Sequence, residues 1–224
     1  MRAHPKSQPK QRSDGARRRD EILDAALRCF SRSGLLGVGI EDIRREAQAS
    51  PSSIYHLFGD LDGIRLALLI RVFDALFAHI AARIQKTRTA KRAVQTLVAA
   101  HIEWIGQNPT QGRFMYQALS VEGRGLSASD RQRLQAKKAE GLQPIVAYLA
   151  RFVASGELPA WSPSLLDVVL LGVAHEALRR YLAGATELAP AQLCKLLPDL
   201  AWHSLAGRPR SRARSARAAT RASD

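Results

Sequence analysis

The side chains best suited to chemistry lie in one short stretch, between Gln48 and His56. They offer an amide, hydroxyls, a phenol and an imidazole, on Gln48, Ser50, Ser52, Ser53, Tyr55 and His56. Ser50 is a favoured N-cap residue, and Pro51 suits the first helical position because it has no N–H to leave unpaired. The pattern predicts a short helix over residues 51–57 that packs its apolar side chains inward. The polar groups then lie outside, where they can hydrogen-bond with a partner.

Two further helices must position this surface. Apolar residues recur at helical spacing from Ile22 to Phe30 and predict a first helix that begins near residue 18 and ends at Gly34. Residues 40–47 predict a second helix, and residues 48–50 form its turn to the third. A longer fourth helix opens at residue 60 or 61. Two short helices joined by a tight turn form a helix-turn-helix, whose second helix enters the major groove of DNA.

This stretch resembles the DNA-binding region of the TetR family of bacterial transcriptional regulators. Roughly 50 of the 224 residues carry the pattern. The matching features are the run Ile22 to Phe30, Gly34, Ile43, Ala47, Ser50, the run Ile54 to Phe58, and Asp62. The resemblance implies an all-α fold, with an N-terminal three-helix helix-turn-helix DNA-binding domain and a larger C-terminal helical domain for ligand binding and dimerisation.

The resemblance and the composition together predict four segments. They are a disordered basic arm over residues 1–17, the DNA-binding domain over 18–60, the helical domain over 61–206 and a disordered Arg-rich tail over 207–224. The formal net charge is +14, of which residues 1–19 supply +6 and residues 207–224 supply +5. Because both ends lack large apolar residues, we expect them to be disordered. The tail is interpreted as an aid to solubility or to nonspecific nucleic-acid binding.

The residues expected to contact DNA are Arg17, Arg18, Arg19, Arg44, Arg45, Gln48, Ser50, Pro51, Ser52, Ser53, Tyr55 and His56. The resemblance implies that Tyr55 and His56 bind phosphates. The third helix has no Arg, Asn or Gln, the side chains that make bidentate base contacts, so base reading is expected to use Gln48, Arg44 or Arg45, or DNA shape. The three arginines over residues 17–19 either follow the DNA or are simply solvated.

The chain departs from the family pattern at five positions. Gln48 stands where glycine is usual, which predicts a strained turn or an amide near the bases. Gly39 and Ile40 replace threonines, so a helix cap and a phosphate contact are lost. Arg44 replaces a small residue, and Leu61 replaces a lysine that touches a phosphate. We therefore expect somewhat weaker anchoring to the DNA backbone.

The remaining chain predicts further helices, including a short one over residues 110–119 that is followed by a loop at Gly123 and Gly125. The last two helices are apolar on more than one face, which indicates either a homodimer interface or core within one subunit. The candidate lining of a cavity for a small, largely apolar effector is Phe77, His101, Trp104, Ile105, Phe114, Met115, Leu119, Tyr148, Phe152 and His175. Their spacing fits ordinary core equally well.

Other function classes lack support in the sequence. It has no Gly-rich phosphate loop, HExxH or CxxC, so we expect no enzyme, no metal site and no cofactor. It has no apolar run long enough to span a bilayer and no signal-peptide pattern, so we expect a cytoplasmic protein without a membrane partner. The expected function is a ligand-responsive repressor that binds a pseudo-palindromic operator as a dimer. The alternative is a nonspecific nucleic-acid binder or small-molecule carrier with the same fold.

Overall fold

The structure, a computed structural model, describes residues 9–125 and 127–205. These ranges contain nine α-helices and no strand, which confirms the all-α prediction. The helices are α1 (Pro9–Ser33), α2 (Ile40–Glu46), α3 (Pro51–Phe58), α4 (Leu61–Ile84), α5 (Ala90–Gln107), α6 (Pro109–Gly125), α7 (Ala128–Ala154), α8 (Pro163–Leu182) and α9 (Pro190–Ser204). The described ranges contain no helix that is long and apolar enough to cross a membrane.

Side-chain caps define where many of these helices begin. In each case a hydroxyl or carboxylate oxygen accepts a hydrogen bond from a backbone N–H in the first turn, which would otherwise be unpaired. The capping residues are Ser50, Asp60, Thr89, Ser127 and Ser162. Because caps are local signals, the predicted starts of α3 and α4 lie within one residue of the observed ones.

Helices α1, α2 and α3 pack around a small apolar core that includes Ile22, Ile43 and Ile54, each at most 1% exposed. Glu46 at the end of α2 pairs with two arginines of α1, Arg28 at 2.7 Å and Arg32 at 2.6 Å. These two hydrogen bonds hold the pKa of Glu46 at about 2. We call the unit formed by α1, α2 and α3 the reading head.

Helix α4 connects the reading head to the rest of the molecule. Arg71 of α4 contacts Asp24 of α1 at 2.8 Å, and Arg65 donates to the Leu35 carbonyl at 3.0 Å. Further along, α4 packs against α5, α6 and α7, while α5 packs against α9 and α8. Helix α6 returns to the reading head, where Phe114 stacks on Phe30 of α1 with 5.4 Å between ring centroids.

Two predicted boundaries were wrong. Residues 9–17 belong to α1, although a disordered arm was predicted over 1–17; residues 1–8 and the tail over 207–224 lie outside the described residues. Helix α6 continues to Gly125, through the loop predicted at Gly123. The reason is the same in both cases: a helix that is already nucleated extends at little cost, even through residues that would not start one.

We expect Phe114→Ala to lower the free energy of unfolding by about 3–5 kcal/mol, because it empties a buried ring position between α6 and α1. Urea denaturation followed by circular dichroism measures the change. Leu36→Ala is the control, since Leu36 is 81% exposed and its truncation should stay within about 0.5 kcal/mol. Similar small losses for both variants would contradict a packed junction between α6 and the reading head.

Candidate nucleic-acid interface and effector region

Helix α3 presents the predicted polar surface. Ser52, Tyr55 and His56 are exposed, Tyr55 by 57%, while Ile54 is buried beneath them. Pro51 is also exposed, at the first turn of the helix. An 8-residue helix with one buried and one polar face matches the expected geometry of a recognition helix.

Serine hydroxyls gather at the N-terminus of α3. Ser50 Oγ accepts from the Ser53 backbone N–H at 3.2 Å and lies 2.8 Å from Ser53 Oγ and 3.1 Å from Ser52 Oγ. The same end of the helix carries the positive end of its dipole. Three hydroxyls and the positive end of the helix dipole are therefore concentrated where a phosphate oxygen or a base edge could be bound.

The turn before α3 has an unusual backbone. Gln48 has φ +49°, and it is the one non-glycine residue with positive φ in the described ranges. This left-handed conformation is easy for glycine and unfavourable for other residues, so the predicted strain at this position is confirmed. The Gln48 side chain is exposed beside α3.

The arginines predicted to contact DNA differ in how they are held. Arg18 Nη2 donates to the Gln48 carbonyl at 2.8 Å, and Arg19 Nη1 donates to the Leu57 carbonyl at 3.0 Å. Arg17 is 74% exposed, with only distant carboxylates at 3.7 and 3.8 Å. Arg18 and Arg19 thus bind other residues of the reading head, whereas the exposed side chain of Arg17 remains available to a partner.

The two arginines of α2 also differ. Arg44 pairs with Glu41 at 2.6 Å, whereas Arg45 is exposed and has no ion-pair partner in the part of the chain that is described. Gly39 lacks a capping side chain, but its N–H donates to Asp42 Oδ2 at 2.9 Å. Leu61, in place of the family's lysine, is half-buried and packs against the core.

The helical domain contains a chain of polar side chains that runs from the buried His101 to the exposed Asp167. Tyr116 of α6 lies between two imidazoles, with its Oη 3.3 Å from His101 Nε2 and 3.2 Å from His175 Nδ1. His175 Nε2 faces Asp167 Oδ1 at 3.6 Å. The four residues, His101, Tyr116, His175 and Asp167, join α5, α6 and α8, and we call them the histidine chain.

The environment decides the protonation of this chain. Burial, and to a smaller extent His175, lowers the pKa of His101 to about 3, so this imidazole is neutral. Burial raises the pKa of Tyr116, which keeps its phenol protonated. Partial burial alone would raise the pKa of the Asp167 carboxyl, but its contact with His175 outweighs this effect and lowers that pKa.

The acceptor at Asp167 sets a direction along the chain. With its proton on Nε2, His175 donates toward the carboxylate and accepts from Tyr116 at Nδ1. Tyr116 then accepts from the Nε2–H of neutral His101. Each group therefore has a defined donor or acceptor role, from the buried His101 to the exposed carboxylate of Asp167.

The other predicted effector residues do not join this chain. Phe114 stacks on the reading head, Phe77 stacks on Phe73 within α4, and Tyr148 contacts Phe152 near the end of α7. The Tyr148 hydroxyl donates to the Thr87 carbonyl. The remaining members are core residues, with Trp104, Ile105 and Met115 buried and Leu119 half-buried.

Sequence reasoning missed two members of the histidine chain, Tyr116 and Asp167. Asp167 carried a usable signal, since it is the one charged residue within the apolar run from Leu165 to Val173. A carboxylate in such a run needs a partner when the helix is packed. Tyr116 carried no comparable signal, because its role depends on histidines from two other helices.

The described residues contain no group of three or more His, Cys, Asp or Glu side chains that could hold a metal ion. Glu103 pairs with Arg83, and Glu176 pairs with Arg179 and Arg180. These carboxylates are therefore held by arginines of the same domain.

We expect His101 to make the protein less stable in mild acid. Its pKa is about 3 when folded and about 6.5 when unfolded. The contribution of His101 to the free energy of unfolding is therefore fully present above pH 6.5. It is lost as the pH falls toward 3, because the unfolded state binds the proton first. Between pH 7 and pH 5 the loss should be about 2 kcal/mol.

The variant His101→Gln cannot titrate, so its loss of stability between pH 7 and pH 5 should be smaller by that amount. Urea denaturation at each pH measures the difference, and His56→Gln, which changes an exposed histidine, is the control. An unchanged pH dependence in His101→Gln would show that His101 is not buried in its neutral form.

Known proteins resemble the reading head in sequence, whereas they resemble the helical domain only in fold. The family model described as bacterial regulatory proteins, tetR family, matches residues 22–68, which span the reading head from within α1 to the start of α4. The regulator BetI of Brucella anthropi is 32% identical over 84 residues, and BetI of Burkholderia mallei is 32% identical over 87 residues. Each match covers 38% of this chain and less than half of the relative, 43% and 45%.

Solved structures extend the likeness to the helical domain at the level of fold. The transcriptional regulator FadR from Bacillus subtilis, in complex with stearoyl-CoA, superposes with a TM-score of 0.67 and 17% identity, over 83% of this chain and 98% of FadR. A TetR family transcription regulator from Marinobacter aquaeolei VT8 superposes with a TM-score of 0.66 and 17% identity, over 88% of this chain and 98% of that regulator. The comparisons therefore identify residues 22–68 as a region like that of the tetR family of bacterial regulatory proteins, in a chain that shares the fold of such regulators.

Proposed function

We propose that the protein is a ligand-responsive transcriptional repressor that binds a pseudo-palindromic operator as a homodimer and is released by a small, largely apolar molecule. The observation that carries the proposal is the polar face of α3, which is exposed and capped beside the buried Ile54. Within the described ranges, packing does not account for the exposed phenol of Tyr55 and imidazole of His56. A major groove offers partners for both of them.

Residues of α3 divide by the contacts that they can make. Tyr55 and His56 are exposed and have no hydrogen-bond partner within the described ranges, which suits them to phosphate oxygens. Ser52 and Ser53 at the first turn, with Gln48 in the turn, lie where base edges would be read. Arg45 on α2 is exposed and has no ion-pair partner within the described ranges, so it offers a further cation for a DNA phosphate.

An exposed apolar face on α8 and α9 supports the dimer. Five large apolar residues of these two helices are more than two-fifths exposed: Leu165, Val168, Val173, Leu196 and Leu200. Gly172 lies between them on α8, and a Cβ added there would meet open space in the single subunit. Burying this face against a second copy removes it from water. A two-fold axis then relates the α3 helices of the two subunits.

The proposed effector site is the region around the histidine chain. The chain provides a few oriented polar groups beside apolar core residues such as Ile105 and Met115, and small-molecule sites usually combine these two kinds of group. FadR from Bacillus subtilis was solved with stearoyl-CoA, so a protein of this fold can hold a ligand with a long apolar part. A ligand that favours a different placement of α4 would lower DNA affinity by its differential affinity for the two states.

Selection of bound oligonucleotides from a random pool tests the proposal, at an ionic strength where charge effects beyond about 8 Å are screened. We expect enrichment of an inverted repeat. Ser53→Ala and Gln48→Ala should change the preferred bases, whereas Tyr55→Phe should weaken all sites about equally. Binding without enrichment would indicate the alternative function of nonspecific nucleic-acid binding or ligand carriage.

We expect Val168→Asp to convert the dimer into single chains, because it places a charge in the apolar face of α8. Sedimentation velocity at micromolar concentration measures the mass. Val146→Asp on α7 is the matched control, since Val146 is an exposed valine outside that face. A dimer that persists in Val168→Asp, or is lost equally in Val146→Asp, would refute this interface.

A further inference from the structure

We propose that Arg18 is a positioning residue for DNA reading. Its guanidinium holds the turn between α2 and α3 in a conformation that Gln48 disfavours, and it thereby sets the angle at which α3 meets DNA. This inference rests on the proposed DNA binding, and it removes Arg18 from the residues that contact DNA.

The turn needs support from outside. Its N–H groups are satisfied by α2, since Gln48 N donates to the Arg45 carbonyl at 3.2 Å and Ala49 N to the Arg44 carbonyl at 2.9 Å. Gln48 nevertheless has φ +49°. This conformation costs free energy for a residue with a Cβ, whereas glycine adopts it without that cost. A strained conformation of this kind persists only where surrounding contacts favour it.

Arg18 supplies such a contact from 30 residues earlier in the chain. Its Nη2 donates to the Gln48 carbonyl at 2.8 Å, while its Nη1 is fixed by Glu21 at 2.8 Å on the same helix. The two bonds use both ends of the guanidinium, and the side chain is about two-thirds buried. A planar donor held in this way fixes the direction of the carbonyl that it binds.

The next residue holds the other end of α3. Arg19 Nη1 donates to the Leu57 carbonyl at 3.0 Å, and its guanidinium lies 4.7 Å from the centroid of the Phe58 ring. Consecutive arginines of α1 therefore contact the turn that precedes α3 and the last turn of α3. Helix α3 is positioned at both ends by α1.

A double-mutant cycle on the full chain tests the proposal, with the operator obtained by selection as the probe. We call the hydrogen bond from Arg18 to the Gln48 carbonyl the clamp. We expect Arg18→Ala to raise the Kd for the operator about tenfold when Gln48 is present. Together with Gln48→Gly the increase should be about threefold or less, since glycine adopts the turn without the clamp. Arg17→Ala is the matched control: it removes the same charge from an adjacent exposed position, and its effect should be the same with either residue at 48.

The salt dependence of the Kd separates positioning from direct contact. A lost phosphate contact lowers the slope of log Kd against log salt by about one, whereas a lost clamp leaves the slope unchanged. Equal losses with Gln48 and with Gln48→Gly, or a slope lowered by one in Arg18→Ala, would overturn the proposal. Arg18→Lys, which keeps the charge and one flexible donor, should recover only part of the affinity.

Hydrogen exchange of the free protein provides a reading that does not depend on DNA. The Ala49 amide should exchange faster in Arg18→Ala than in Arg17→Ala, and equal rates would refute the clamp. If the wild type selects no operator, the proposed function fails, and the exchange rates still decide whether Arg18 holds the turn.

Discussion

The shortness of α2 and α3 is the constraint on which the structure of the reading head depends. Helices of 7 and 8 residues are not stable alone in water, because nucleation costs more than so few hydrogen bonds return. Their position must therefore come from neighbours. Helix α1 supplies most of it, through Ile22 in the shared core, the arginine pairs to Glu46 and the two arginines that bind the turn and the end of α3.

This dependence changes the interpretation of the basic residues near the N-terminus. From sequence, Arg17, Arg18 and Arg19 form one cationic run, and a single role for all of them is the simplest reading. On α1 they point in different directions, 100° apart per residue, and only Arg17 is largely exposed. The charge of a helical run is therefore a poor guide to the charge that it offers to DNA.

The sequence predicted the local features well. The limits of α2 and α3 were correct within one residue, and the strain at Gln48 was expected, because caps, proline positions and turn residues act on their own neighbours. Residues 9–17 and the end of α6 were mispredicted, because helix extension depends on what is already folded. The partners of His101 could not be predicted, because Tyr116, His175 and Asp167 reach it from other helices.

Helix α6 gives the two regions of the molecule a common element. Within five residues it packs closely on α5 and α8 at Gly112, binds the Leu182 carbonyl through Arg113, stacks on the reading head through Phe114 and bridges two histidines through Tyr116. A Cβ at Gly112 would lie 3.0 Å from Ile105, so the helix has little room to move toward α5. A ligand that displaces Tyr116 must then move α6 along or about its axis. Because close-packed interiors transmit such shifts rather than absorb them, Phe114 would carry the displacement directly to α1, and α1 is the helix that sets the position of α3.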